Sequence, residues 1–141
     1  MADADGDWRA QRARAVAAHG EALAARQAAE TARAAALVAA FVRDAIARGL
    51  PTEPLVALPY DGGRGYRTGL HGWYIHPDRS VAIGVDGGYY VLGVPPSLRA
   101  RLTGVTLAPG EPRLIVGEGA RDGASAPLAT LLARALAGGW H

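Results

Sequence analysis

The sequence "GLHGWYIHPDRSVAIGVDGGYYVLGV", residues Gly69–Val94, decides the fold. Apolar residues alternate with polar or small residues along it, and Pro77-Asp78 and Asp86-Gly87 interrupt the alternation. A period of two predicts β-strands, and the two dipeptides are typical of tight turns. We therefore predict three antiparallel strands, over Leu70–His76, Ser80–Val85 and Tyr89–Val94.

The lengths of the two turns predict which side chains share a face of this sheet. A three-residue loop in the first turn places Trp73 opposite Ile83, and a two-residue loop in the second places Ile83 opposite Tyr90. One face is then an apolar core face, and the other is small and aromatic and carries Tyr74 and Tyr89. Because this second face has almost no charge, we expect the protein's own helix or a partner to cover it.

The segment before the sheet has a different composition. Residues 8–48 lack proline, contain one glycine, Gly20, and are rich in alanine and arginine. This composition predicts one long helix, or two helices that break near Gly20, ended by Gly49 and Pro51. The predicted organisation is a disordered N-terminus (1–7), a long Ala/Arg-rich helix (8–49) and an antiparallel α+β domain (50–141).

The remaining elements complete an α+β fold. A short strand is predicted at Leu55–Leu58, and Ser97 is placed to cap a short helix that ends near Leu102. A further strand is predicted at Arg113–Val116, and Ala126–Leu136 has the leucine spacing of an amphipathic helix. We therefore predict a long N-terminal helix, an antiparallel sheet of four to five strands and a C-terminal amphipathic helix.

The long helix is predicted to project from the body of the protein. A helix of about 40 residues spans roughly 60 Å, which exceeds the diameter of a domain of this size. Val16, Leu23 and Leu37 recur at heptad spacing, with Glu30 between them, and this spacing is typical of a coiled-coil seam. The first hypothesis is therefore a non-enzymatic scaffold module that binds a second copy or another protein through this helix. The alternative is a solvated Ala/Arg helix without a partner.

A nucleic-acid-binding module is the second hypothesis. Arginines on the helix supply positive charge, and tyrosines on a sheet face are suited to stacking on the bases of single-stranded RNA. The consensus motif of RNA-recognition sheets is missing, and the net charge is only +2. Burial of the tyrosine face under a helix is the alternative. The candidate contacts are Arg9, Arg12, Arg14, Arg26, Arg33, Tyr74 and Tyr89.

The segment "LIVGEGARDGASAPLATLL", residues Leu114–Leu132, has the order strand, glycine-rich loop and helix that phosphate-binding loops share. Its glycine spacing differs from G-x-G-x-x-G, and the lysine of a P-loop is missing. We therefore predict a plain connection between a strand and a helix that Ser125 caps. The alternative is an anion site, whose residues would be Gly117, Gly119, Arg121 and Ser125.

The composition excludes several kinds of chemistry. The chain contains no cysteine and no lysine, which excludes disulfides, thiolate nucleophiles, cysteine-based metal sites and Schiff bases. Its three serines lie outside any G-x-S-x-G motif. His71 and His76 are five residues apart on one predicted strand, so they point to opposite faces and cannot easily share a metal ion. A small-molecule enzyme in which one of them meets an aspartate is the third hypothesis; no catalytic residue, metal or cofactor is predicted.

Two further expectations concern the origin and location of the protein. The acidic N-terminus has no apolar signal segment, and no apolar run approaches the about 20 residues of a membrane span. We therefore expect a cytoplasmic protein without membrane contact. The run at 69–92, preceded by "FVRDAIARGLP" and followed by "GVTLAPGEPRLIVGEGARDG", resembles small uncharacterised proteins of high-GC Gram-positive bacteria over roughly residues 37–136. This resemblance implies a bacterial cytoplasmic origin and assigns no functional residues.

Overall fold

A computed structural model describes residues 2–117 and 125–139, with side chains from Ala4 onward. The predicted α+β fold is confirmed. Within the described residues the helices are α1 (Ala2–Ala47), α2 (Leu98–Thr103) and α3 (Leu128–Leu136). The strands are β1 (Glu53–Pro59), β2 (Tyr66–Tyr74), β3 (Val81–Gly84), β4 (Tyr89–Val91), β5 (Gly93–Val94), β6 (Ile115–Val116) and β7 (Ala126–Pro127).

Helix α1 is continuous through Gly20 and begins at Ala2, where we expected a disordered segment to precede Trp8. Its abundance of alanine favours helix throughout. A glycine terminates the helix, as predicted. Gly49, two residues after the last helical residue, adopts a left-handed φ of +65°, and Leu50 donates its N–H to the Ala45 carbonyl (2.9 Å). No described helix, α1 included, has both the length and the apolar character needed to span a lipid bilayer.

The main sheet has the strand order β4-β3-β2-β1-β5, antiparallel except for the pair β1–β5. The predicted strand over 89–94 is therefore divided between β4, which pairs with β3, and β5, which pairs with β1. Only Leu92 separates the two: its N–H donates to the Ser80 carbonyl (2.8 Å), and its carbonyl accepts from the Leu58 N–H (2.7 Å). The two edge strands, β4 and β5, are therefore joined through this single residue, and the sheet is curved so that its edges approach each other.

The register of the first hairpin is as predicted, but the register of the second is not. Trp73 lies opposite Ile83 across β2 and β3, whereas Ile83 lies opposite Tyr89, and not Tyr90, across β3 and β4. The second loop has three residues, 85–87, because the Gly84 N–H donates to the carbonyl of residue 88 (2.9 Å). A shift of one residue moves every side chain of β4 to the other face of the sheet.

The corrected register places the two predicted tyrosines on opposite faces. Tyr89 joins Trp73 and Ile83 in the largest core cluster, whereas Tyr74 packs near Tyr90 on the other face. The prediction that Tyr74 and Tyr89 share one face is therefore wrong. The cluster on the face of Tyr74 combines residues of the sheet with Leu107, which follows α2 in the chain; its members are Leu55, Leu70, Tyr74, Ala82, Tyr90, Leu92 and Leu107.

The C-terminal third of α1 and helix α3 cover the other face of the sheet. The ring of Phe41 meets the ring of Trp73 edge to face, with the centroids 5.5 Å apart, a favoured aromatic geometry. The α1 residues buried in this core are Ala34, Val38, Phe41 and Ala45; those of α3 are Leu128, Leu131, Leu132 and Ala135. The predicted leucine stripe of α3 is thus largely buried, with Leu136 half-buried at its edge.

Candidate functional site

Residues Ala4–Glu30 of α1 are all exposed, and we call them the helical arm. Burial begins at Thr31 and is complete at Ala34, where the helix reaches the sheet and α3. The arm therefore extends about 40 Å beyond the body of the protein, at 1.5 Å for each residue. The predicted projection of the long helix is present in the structure.

The apolar residues of the arm lie in line with the buried face of the same helix. Val16 precedes Ala34 by 18 residues, and Leu23 precedes Phe41 by the same number, which is five complete turns at 3.6 residues per turn. Ala34 is 0% and Phe41 2% exposed, whereas Val16 is 66% and Leu23 43% exposed. The face that packs on the body thus continues outward along the arm without a covering partner in the monomer.

The third residue of the predicted seam belongs to the body. Leu37 is half-buried and packs against the core that includes Val38 and Phe41. It is therefore not available together with Val16 and Leu23, and that part of the prediction is corrected. Within the arm, the predicted seam consists of Val16 and Leu23 alone, because the body covers this face of the helix from Thr31 onward.

The five helix arginines are all exposed but do not form a single basic face. Successive residues of an α-helix are about 100° apart around the axis, so Arg14 lies on the opposite side of the arm from Arg12. The guanidinium of Arg12 lies 5.4 Å from the ring centroid of Trp8, a cation–π contact. The remaining arginines of the predicted set, all in exposed positions, are Arg9, Arg26 and Arg33.

The tyrosines predicted to stack on bases are engaged within the protein. Tyr89 is 5% exposed, and burial raises the pKa of its hydroxyl, with the charge of Arg113 opposing this effect. The ring of Tyr74 is covered by the guanidinium of Arg79 at 4.1 Å, and its hydroxyl accepts the Val56 N–H (2.8 Å). No stacking surface of the predicted kind is formed by this pair, because the pair is split between the two faces.

The glycine-rich segment does not place Ser125 at the start of a helix. Gly117 ends β6 in a turn with φ +81°, and Gly119 and Arg121 lie outside the described residues. Ser125 precedes β7, and Pro127 occupies the position before α3 without any capping side chain. The Leu128 N–H donates to the Leu114 carbonyl (2.7 Å), so the predicted Ser125 cap is wrong.

His76 is the buried member of a histidine–aspartate pair in the first hairpin turn. It is 4% exposed, and its Nδ1 lies 2.6 Å from Oδ1 of Asp78, which also accepts the Ser80 N–H (2.9 Å). Partial burial favours a higher pKa for Asp78, but the hydrogen bonds from Ser80 and the nearby His76 outweigh it and lower that pKa. The pair orders its own turn, in which Arg79 adopts φ +62°.

A cavity of about 520 Å³ adjoins this turn, within the size range of small-molecule sites. Trp73, Tyr74, His76 and Arg79 line it, and Arg79 is already ion-paired with Glu53. His71, the other histidine considered, is exposed and away from this cavity's lining. Across the described ranges, no three histidine or carboxylate side chains come together as a group that could hold a metal ion.

Comparisons with known proteins add no functional information. The chain was compared with models of protein families, with curated proteins and with solved structures, and none of these comparisons found a significant match. Among the features described above, the helical arm places apolar side chains in solvent along a face that is buried elsewhere in the same helix.

Proposed function

We propose that the protein is a non-enzymatic interaction or scaffold module that self-associates through its helical arm. The observation that carries the proposal is the alignment of exposed Val16 and Leu23 with buried Ala34 and Phe41. A helix with an apolar face packs that face against another surface. In α1 the apolar face continues towards the N-terminus beyond Thr31, where contact with the body begins.

Pairing would stabilise an arm that has no tertiary contacts of its own. Most helical stability in proteins comes from packing of an apolar face, and the arm has no such packing in the monomer. Complete burial of one valine or leucine side chain contributes about 1.5–3 kcal/mol. Between Val16 and Leu23 on the same face lie His19 and Gly20, and Gly20 adds no side-chain bulk at the contact.

Binding of nucleic acid by the arm is the second candidate function. It is supported by the exposure of Arg9, Arg12, Arg14, Arg26 and Arg33. It lacks the tyrosine component that we predicted, because Tyr89 is buried. Any binding of this kind would rest on phosphate contacts and would weaken steeply as the salt concentration rises.

The experiment that tests the first proposal measures mass by light scattering over a range of protein concentrations. We expect a dimer or larger assembly for the natural sequence and a monomer for Val16→Glu/Leu23→Glu. The matched control is Ala18→Glu/Ala25→Glu, because those exposed residues have the same spacing but lie about 200° round the helix from the seam. The control should assemble like the natural protein.

Two outcomes would count against self-association. A monomer at the highest soluble concentration contradicts it directly, and equal assembly of the seam variant shows that Val16 and Leu23 are not the contact. The same samples should be titrated with single-stranded RNA and duplex DNA at low salt. Binding by a monomeric protein, lost when Arg9, Arg12 and Arg26 are replaced by glutamine, would favour the nucleic-acid function instead.

A further inference from the structure

We propose that two copies of the chain pair antiparallel through their helical arms, about a two-fold axis between His19 and Gly20. In this arrangement Val16 of each copy packs on Leu23 of the other, and Arg9 of each copy meets Glu30 of the other. The inference rests on the proposed self-association and specifies its direction and register.

The face of the arm that contains the seam also contains charged residues. Helical residues three or four positions apart lie on one face, and such steps connect Arg9, Arg12 and Val16 on one side of the axis. Further steps connect Leu23, Gln27 and Glu30 on the other side. Arg9 and Arg12 thus lie in the outer half of the seam, and Glu30 lies in the half next to the body. The same steps also connect Asp5 to the outer half and Arg26 to the half next to the body.

This charge pattern favours the antiparallel direction. With Val16 opposite Leu23 in an antiparallel pair, each step towards the N-terminus of one helix is matched by a step towards the C-terminus of the other. Arg9 therefore faces Glu30, and Arg12 faces Gln27. A parallel pair would instead place Arg9 against Arg9 and Glu30 against Glu30, and like charges in facing positions disfavour a complex. Heptad spacing alone identifies the apolar residues of the seam. The pairing of Arg9 with Glu30 can be inferred only when the exposed length of the helix is known.

The position of the body favours the same direction. The sheet and α3 pack on the seam side of α1 from Ala34 to Ala45. In a parallel pair, both bodies would lie between the two helices at the same end, where they would occupy the same space. In the antiparallel pair the bodies lie at opposite ends, and each copy's Trp8 reaches the place opposite Thr31 where the other body begins.

The inner end of the arm matches this overlap, whereas Ala4–Trp8 extend beyond its outer end. The paired span runs from Arg9 to Glu30, about 33 Å at 1.5 Å per residue, and every residue in it is exposed in the monomer. Burial begins at Thr31, immediately beyond the span. At the end next to the body, the exposed segment therefore ends where the antiparallel register requires the contact to end.

Disulfide trapping tests the register directly, because the chain has no cysteine of its own. Full-length Val16→Cys and Leu23→Cys proteins, one carrying a mass tag, are mixed and oxidised. We expect a disulfide-linked heterodimer in high yield and little linkage of Val16→Cys to itself. Ala18→Cys mixed with Ala25→Cys is the matched control, because both residues face away from the seam and should not link.

The outcomes separate this inference from the function on which it rests. A monomer in light scattering overturns both. A dimer in which Val16→Cys links mainly to itself keeps self-association and overturns the antiparallel register. A dimer with no linkage at either seam position shows that a different surface is used, and this too overturns the inference.

A charge exchange provides an independent test. Arg9→Glu and Glu30→Arg should each raise the dimer dissociation constant about tenfold, because two symmetric ion pairs become like-charge contacts. The double variant Arg9→Glu/Glu30→Arg restores opposite charges and should return to within about twofold of the natural protein. Arg14→Glu, on the far side of the arm, is the control. Additive weakening in the double variant would overturn the proposed pairing of Arg9 with Glu30.

Discussion

Leu23 and Phe41 lie five turns apart on one face of α1, yet Phe41 is 2% exposed and Leu23 is 43% exposed. The two residues have similar surroundings along the chain, with alanine and arginine nearby. Phe41 is buried because Trp73 of the sheet meets it edge to face. Leu23 is exposed because the body does not extend that far along the helix.

Replacing these two residues by alanine should therefore have different effects. Phe41→Ala should lower the free energy of unfolding by about 3–5 kcal/mol, because it leaves a cavity in the core. Leu23→Ala should change the free energy of unfolding of the monomer by less than about 0.5 kcal/mol, as is usual for exposed positions, while weakening self-association. Urea unfolding of dilute protein measures both changes. A large loss of monomer stability in Leu23→Ala would show that the arm packs on its own body.

Gly20→Ala should strengthen the arm. Gly20 lies inside α1, and a Cβ atom there would meet nothing within 4 Å in the monomer. Alanine is favoured over glycine inside a helix by about 1 kcal/mol. We expect a higher helix content by far-UV circular dichroism on heating, measured in the Val16→Glu/Leu23→Glu background so that pairing does not contribute. An unchanged or lower helix content would contradict the prediction that Gly20 limits the stability of the arm.

Gly72→Ala should have the opposite effect in the sheet. A Cβ atom at Gly72 would overlap the Ile83 carbonyl and come within 2.8 Å of the Cα atom of Gly84. Because these are backbone atoms of the neighbouring strand, they can move only if β2 and β3 separate. We expect a loss of about 1–3 kcal/mol in the free energy of unfolding, the usual cost of an overpacked site. A neutral result in urea unfolding would contradict the close pairing of these strands.

The hydrogen bond between Tyr90 and Asp86 should make stability depend on alkaline pH. The Tyr90 hydroxyl donates to Oδ2 of Asp86 (2.7 Å), and this bond, together with burial, raises the pKa of Tyr90 from 10.0 to about 12. Because the folded protein holds this proton more tightly than the unfolded chain, the contribution is complete below pH 10 and is lost as the pH rises towards 12. The free energy of unfolding should therefore fall across this interval.

The matching variant is Tyr90→Phe, which removes the hydroxyl and retains the ring. It should lower stability by about 1 kcal/mol near neutral pH, the typical contribution of one hydrogen bond, and should make the alkaline decline shallower. Tyr60→Phe is the control. Tyr60 is 73% exposed, so this substitution should leave the alkaline decline in stability unchanged. An equal decline in Tyr90→Phe and the natural protein would show that Tyr90 does not cause it.

The two hairpins show why local patterns predict some contacts and miss others. The loop after His76 was predicted correctly, because Pro77 and Asp78 strongly favour a turn at that place. In the second loop, Asp86-Gly87 suits a two-residue turn, but Gly87 adopts φ +86° at the end of a three-residue loop. Both lengths satisfy the local sequence equally well. The choice between them decides which face of the sheet each of Tyr89 and Tyr90 packs on, which is a non-local condition.

The candidate site was predicted in part for a similar reason. Heptad spacing identified Val16 and Leu23, but the same spacing included Leu37, which packs against the body. The large apolar residues of the packed part of the helix begin at Leu37, but the sequence does not mark the boundary at Thr31, because the first buried residue is an alanine, Ala34. The complementarity of Arg9 and Glu30 becomes meaningful only when that point is known to lie at Thr31.

The amino-acid sequence by itself determined the long helix, the hairpins, the capped helix at Ser97 and the leucine stripe of α3, because these depend on propensities and contacts between near neighbours in the chain. The tertiary structure decided the register of Tyr89 and Tyr90, the closure of the sheet at Leu92 and the boundary between buried and exposed parts of α1. Each of these is set by packing between segments distant in sequence, where a change of one residue or one turn exchanges core for solvent.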